Sequence, residues 1–150
     1  MESEQAIRET LGRLFDECRL AVLSTHRDGQ PYASLVAFAA TGDLRRIYFA
    51  TPRSTRKFGN LSADGRIALL ISNDANQVED FHRAMAVTVV GAGREVDGED
   101  KARALGLYLN KHPYLEDFVQ APTCALVELQ ARSFFLVRHF QHVMELHLEP

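Results

Sequence analysis

The sequence predicts a mainly β fold with flanking helices, a six- to seven-stranded antiparallel barrel within a single domain covering residues 1–150. Three observations carry this reading. Short apolar runs recur along most of the chain, separated by tight-turn signals rather than by long helical crossovers. Helical periodicity is confined to the N-terminus, to a short stretch after residue 54 and to residues 98–111. A length of 150 residues, 46% hydrophobic and 25% charged, supplies one ordinary globular core. Strands this closely spaced favour a closed or nearly closed barrel, because closure removes exposed edges.

The elements follow in order. Ile7, Leu11, Leu14 and Phe15 fall on one face of a helix over residues 4–17. The period then changes. Residues 20–25 and 31–40 are apolar runs flanking Arg27-Asp28-Gly29-Gln30, whose central Asp-Gly is a hairpin turn signal. Thr41-Gly42-Asp43 turns the chain into a strand over 46–51, and strands over 67–72 and 85–96 follow. A helix over 98–111 places Ala102, Leu105 and Leu109 on one side and stops at His112-Pro113, because the residue before proline avoids the helical region. Residues 114–119 add a turn or two of helix. Two strands, 124–130 and 133–146, close the chain, the second alternating Phe140, His142, Met144 and Leu146 onto one face, with Leu148 continuing it.

Composition narrows the function classes. A formal net charge of −3 lacks the basic footprint of a nucleic-acid binder. The N-terminus has neither the basic start nor the apolar run of a signal peptide, and no apolar stretch approaches the ~18 residues of a membrane span. Cys18 and Cys124 are too few and too isolated for a disulfide framework or a zinc motif, and their apolar neighbours predict buried free thiols. A cytoplasmic protein without a metal is the expectation. The six histidines match no zinc spacing; His139 and His142 would face opposite sides of an extended strand, and His112 would hold its polar tip in water at a helix end.

The most informative stretch runs from residue 47 to residue 66. Ile47 to Thr51 is a strand ended by Pro52, Ser54 is a good helix N-cap, and Phe58, Leu61 and Ala63 have helical spacing. Gly65 sits where a left-handed helix stop is cheap. The charges are on the wrong end. Arg56 and Lys57 lie in the first turn with Arg53 just before it, and each cation there opposes the helix dipole by roughly 0.3–1 kcal/mol. No acidic residue intervenes between Asp43 and Asp64. An anion at the helix N-terminus would reverse the problem, using free N–H groups, the hydroxyls of Thr51 and Thr55, and the cations together. The alternative is a solvated basic patch, or pairing with acidic side chains elsewhere. Neither G-x-G-x-x-G nor a Walker pattern occurs.

This order of pieces resembles the FMN-binding split barrels (Greek-key type) related to pyridoxamine 5'-phosphate oxidase. The hairpin 21–38, the strand Ile-Tyr-Phe-Ala-Thr and the basic opening Ser54-Thr55-Arg56-Lys57 carry the resemblance, which covers roughly residues 18–95. It implies FMN as cofactor. Ser34, Leu35 and Val36 would lie along the isoalloxazine ring, Ala50 and Thr51 near the ribityl chain and phosphate, and Thr55, Arg56 and Lys57 on the phosphate. It also implies a homodimer with the flavin between subunits, the opposite wall coming from the partner's stretch around Phe134 to Phe140, and a small-molecule substrate oxidised or reduced through the flavin.

The chain departs from the oxidase itself. Arg138 and His139 are adjacent rather than in an Arg-x-His pattern, and Ala86 or a neighbour stands where the oxidases commonly place a flavin-contacting glutamine. Pyridoxamine phosphate oxidation is therefore not the expected reaction, and no residue is singled out as a catalytic acid or base. The rival readings are a non-catalytic flavin carrier or sensor, and a haem- or deazaflavin-binding barrel, with His142 the formal haem ligand. Ser24-Thr25-His26 offers a nucleophile and a base in name only, since adjacent strand-end residues lack the geometry.

Overall fold

The computed structural model describes residues 3–139 and 142–150. Helix α1 (Glu4–Glu17) opens with Ser3 as N-cap and buries the predicted face, Ile7, Leu11, Leu14 and Phe15, together with Thr10. Seven strands follow: β1 (Leu20–Arg27), β2 (Gln30–Ala40), β3 (Arg46–Pro52), β4 (Arg66–Ser72), β5 (Ala86–Glu95), β6 (Cys124–Arg138) and β7 (His142–His147). Between them lie α2 (Arg56–Ala63), α3 (Asp80–Arg83), α4 (Glu99–Lys111) and, after a 3-10 turn at Pro113–Leu115, α5 (Glu116–Gln120).

The sheet order is β3-β2-β1-β4-β5-β6-β7, and β3 also pairs with β6. Strands β1 to β6 thus close into a six-stranded antiparallel barrel, with β7 added beside β6. Asp28 and Gly29 take φ of 51° and 81° between the paired residues Arg27 and Gln30. These are the left-handed conformations a two-residue hairpin turn requires, and they fix the β1–β2 register. Alternation along the strands then sends Leu23, Phe38, Phe49, Leu69, Val89 and Phe134 into the barrel, all fully buried.

Two corrections concern the C-terminal half. β6 runs unbroken from Cys124 to Arg138, so the break expected near residue 132 is absent; the chain turns instead after Arg138, with His139 at φ 52°. The expected face of residues 133–146 therefore belongs to two paired strands, and Phe140 lies outside the described residues. Phe134 is buried in the barrel core. α3, four residues long, was too short for a periodicity signal.

A second apolar cluster lies outside the barrel. Ala39, Tyr48, Ala50 and Leu126 from the outer faces of β2, β3 and β6 pack against Ala104 and Tyr108 of α4 and Val119 of α5. α4 is tied down by polar contacts as well. Lys111 Nζ donates to the carbonyls of Phe15 and Cys18 at 2.7 and 2.6 Å, and sits 3.9 Å from the centre of the Phe38 ring. His112, expected with its tip in water, is buried, its Nε2 2.7 Å from the Phe38 carbonyl; burial is the main reason its pKa is lowered. Cys124 is a buried free thiol and Cys18 a partly exposed one.

A candidate cofactor groove at the split between two strands

β2 pairs with β1 over its whole length, but with β3 only from Phe38 to Ala40. Beyond Phe38 the two strands part. The N–H of Phe38 donates to the Arg19 carbonyl at 3.2 Å, which sets the antiparallel alternation. Even-numbered residues of β2 bond to β1, so Leu35 and Ala37 direct their backbone groups into the split. The Ala37 carbonyl is taken by the Tyr108 hydroxyl at 3.2 Å. Among the described residues no strand faces Leu35 on that side. Pro31 falls on the same parity, where its missing N–H costs nothing.

The split opens into a groove of about 260 Å³. Its floor and strand walls come from Leu35, Val36 and Ala37 on one side and Ala50, Thr51 and Pro52 on the other, with Lys57 at the end. Tyr108, Leu115 and Phe118 form the remaining wall. Sequence reasoning missed these three, because an aromatic or leucine at helical spacing reads as core. Phe118 is nevertheless 41% exposed, and the turn at His112-Pro113 is what folds α5 back over the groove.

The phosphate-clamp residues divide. Thr51 and Thr55 place their Oγ atoms 2.7 Å apart, and both lie near the Pro52 carbonyl. Thr55, not Ser54, is the N-cap of α2, accepting from the Phe58 N–H at 3.3 Å. Pro52 ends β3 and the turn consumes Arg53 and Ser54, which shifts the helix start by one residue. Lys57 lines the groove, half buried, and makes no ion pair among the described residues. Arg56 is exposed, its guanidinium 5.7 Å from the centre of the Tyr32 ring. Arg53 leaves the clamp altogether: it pairs with Glu95 and donates to the Pro122 carbonyl. The helix stop is corrected too. Asp64 ends α2 in an extended conformation, φ −147°, and binds Arg66 and His26 with its carboxylate. Gly65 is needed for close approach, since a Cβ there would meet the Gly93 carbonyl oxygen at 3.0 Å.

Ser34 behaves differently from its neighbours. It stands opposite Leu23 in the hairpin and points toward the barrel interior, where its Oγ is buried without a partner among the described residues. A buried hydroxyl with no partner costs about 1–3 kcal/mol. Thus Leu35, Val36, Ala50, Thr51 and Lys57 meet in one groove, Thr55 is bonded to Thr51 at its end, and Ser34 and Arg56 lie off it.

The residues present fit a flavin phosphate and ring. A half-buried cation with no counter-ion among the described residues stands at a helix N-terminus, two hydroxyls cluster beside it, and a strand edge unpaired among the described residues runs along an apolar wall.

The outer barrel face beside the groove is uncovered. Leu35 stands directly opposite Val22, Val22 opposite Leu70, Leu70 opposite Thr88 and Thr88 opposite Phe135. Leu35 is 62% exposed and Leu70 43%. An apolar band therefore crosses five strands and begins at a groove residue.

A larger concavity, about 830 Å³, lies between α1 and the β6–β7 hairpin. His139 and His142 both line it, contrary to their expected opposite orientation, because His139 sits in the turn rather than on a strand. His147 is engaged by Ser133 and Glu145. Among the described residues no cluster of side chains suits a metal ion, and no helix is long and apolar enough to cross a membrane.

Comparison with solved structures gives the fold a wider setting. The chain is similar to a heme binding protein from Mycobacterium smegmatis, at 15% identity and TM-score 0.82, covering 98% of this chain and 59% of that one. It is similar to HutZ, the heme storage protein from Vibrio cholerae, at 18% identity and TM-score 0.71, covering 88% and 92%. A protein from Clostridium acetobutylicum related to general stress protein 26, of the pyridoxinephosphate oxidase family, aligns at 14% identity and TM-score 0.74, covering 97% of each chain. No curated protein matches the sequence. The family model for pyridoxamine 5'-phosphate oxidase matches residues 5–137, and with the closed six-stranded barrel already described the chain belongs to that family.

Proposed function

We propose that this chain binds FMN in the split between β2 and β3 and serves as a flavin-dependent oxidoreductase for a small organic substrate. The observation that carries the reading is the convergence, in one groove, of Lys57, the Thr51–Thr55 hydroxyl pair and the backbone of Leu35, where neither Lys57 has a counter-ion nor Leu35 a strand partner on that side among the described residues. Lys57, Thr51, Thr55 and the free N–H groups of α2 hold the phosphate. Leu35 offers its N–H and C=O to the polar edge of a planar ring, and Val36, Ala50 and Tyr108 supply apolar contact. When bound, the flavin supplies hydride or electron exchange at N5. The protein's part is to orient the ring and exclude water.

A homodimer completes the site in this reading. A groove of 260 Å³ is below the ~300–1,000 Å³ usual for ligand pockets. A second barrel seated on the band from Leu35 to Phe135 would cover exposed apolar surface and deepen the groove in one step. Leu70→Lys, at the middle of the band, is expected to give monomers by light scattering and to weaken FMN binding together.

The deciding experiment is the absorption spectrum of the purified protein, followed by release and mass analysis of the chromophore. Flavin bands with FMN released are the expected result; a deazaflavin or an empty protein that ignores added FMN overturns the reading. Turnover with a nicotinamide donor separates an enzyme from a carrier.

A second reading, haem, is supported by the concavity where His139 and His142 share a lining with apolar Ile7, Met144 and Leu146. The M. smegmatis and V. cholerae proteins of similar fold bear heme in their names. A Soret band abolished by His142→Ala would establish it in place of FMN.

A further inference from the structure

On the outer face of the barrel, away from the groove, a carboxylate is buried among charged and polar side chains. Glu128 of β6 stands directly opposite Tyr48 of β3 and directly opposite Arg94 of β5. Its side chain is only 3% exposed. Arg94 reaches it through Nε at 3.2 Å and Nη2 at 3.1 Å, Arg46 through Nε at 3.3 Å, and the Tyr48 hydroxyl at 3.4 Å. Taking a carboxylate out of water costs several kcal/mol unless it is paired this fully. The two guanidiniums are half in solvent, 51% and 52% exposed, so each presents its remaining N–H groups outward.

These outward donors face a cavity of about 300 Å³. Asp100, Arg103 and Leu107 of α4, spaced three and four residues apart on one helix face, form its far wall. Arg103 makes no ion pair among the described residues. The cavity thus holds three guanidiniums against two carboxylates, one of which is committed to fixing two of the arginines in place. Arginines held by a buried carboxylate lose little freedom when they bind an oxyanion, and their forked donors match carboxylate and phosphate. Leu107 and the Tyr48 ring give the same cavity an apolar side.

We propose that this cavity is a second binding site, for a small organic anion whose carboxylate or phosphate rests on Arg46, Arg94 and Arg103 and whose body lies against Leu107 and Tyr48. The competing account, a self-contained ion cluster that pins strand register, gives Arg103 nothing to do. Calorimetric titration of the full chain with benzoate and with phenyl phosphate, at constant ionic strength, separates the two accounts. Saturable binding of at least one probe at millimolar concentration is expected, weakened about tenfold or more by Arg103→Ala and by Arg94→Ala, and unchanged by Arg132→Ala on the exposed part of β6. Which probe binds distinguishes a carboxylate from a phosphate ligand. Arg103 is exposed and outside the ion cluster, so its replacement leaves the fold intact, as circular dichroism would verify. Absence of saturable binding by either probe overturns the proposal. So does binding that Arg103→Ala leaves intact and Lys57→Ala removes, which would place the anion in the cofactor groove.

Discussion

Lys57→Ala separates the two faces of the misplaced cation at the start of α2. Without a ligand, Lys57 opposes the helix dipole by about 0.3–1 kcal/mol, so its removal is expected to stabilise the ligand-free protein. For a domain of this size that is a rise in Tm of about 1–4 °C. With FMN, the same side chain would make a charge-assisted contact inside the groove, worth about 1.5–3 kcal/mol. Its loss is expected to raise the Kd for FMN about 10- to 150-fold. Arg56 provides the comparison. It is exposed, lies 5.7 Å from the Tyr32 ring centre and is absent from the groove lining. An exposed cation contributes at most about 1 kcal/mol, so Arg56→Ala should weaken FMN no more than about fivefold. Quenching of flavin fluorescence on titration gives the affinities, and differential scanning fluorimetry gives the ligand-free Tm. An Arg56→Ala penalty equal to or larger than that of Lys57→Ala would refute the assignment of the groove cation, as would a fall in Tm for ligand-free Lys57→Ala.

Other outcomes follow from the packing. Gly91→Ala should destabilise by roughly 3 kcal/mol or more, read as a fall in denaturant midpoint, because its Cβ would meet the Gln130 carbonyl oxygen at 2.0 Å at the β5–β6 register shift. Gly106→Ala, on an exposed face of α4 with nothing within 4 Å, should instead stabilise by about 0.5–1 kcal/mol. Burial lowers the Lys111 pKa from 10.5 to about 8, so between those values the unfolded chain holds a proton that the folded chain has released. Stability of the wild type relative to Lys111→Met should therefore rise with pH across that window, and a flat difference in urea midpoints would show that the amine is not desolvated. Thr55→Ala removes both the cap of α2 and the partner of Thr51, and should cost about 1 kcal/mol of stability as well as FMN affinity.

Much of this was legible in the sequence, for local reasons. Asp28-Gly29 needs only its own backbone preferences to make a hairpin. The cations at Arg56 and Lys57 violate a local helix rule, so the violation is visible without the fold. What stayed hidden depends on distant partners. Arg53 looks equivalent to Arg56 until β5 brings Glu95 beside it. His112 looks like a surface helix end until it meets the Phe38 carbonyl. The wall of Tyr108, Leu115 and Phe118 exists because α5 doubles back, a matter of tertiary packing that helical periodicity cannot express. The turn at His139 was masked because the strand-like apolar alternation continues on both sides of it. Glu128 reads as an ordinary charged strand residue, and its role appears only when the sheet brings Arg46, Tyr48 and Arg94 to it.

The pairing of β3 with β6 has a consequence for the order in which the molecule is made. The hairpin of β1 and β2 joins residues close in sequence, whereas Arg46 must find Gln130 and Pro52 must find Cys124. Such distant pairings are slow, because loop-closure entropy is lost before contacts repay it. The groove takes its wall from the last residues of β3, and Arg53 N–H beyond them bonds to Thr123. Its two sides therefore take their positions only when the barrel seals. A ligand held there is a clasp on the slowest contact in the chain, so saturating it should slow unfolding far more than it speeds folding.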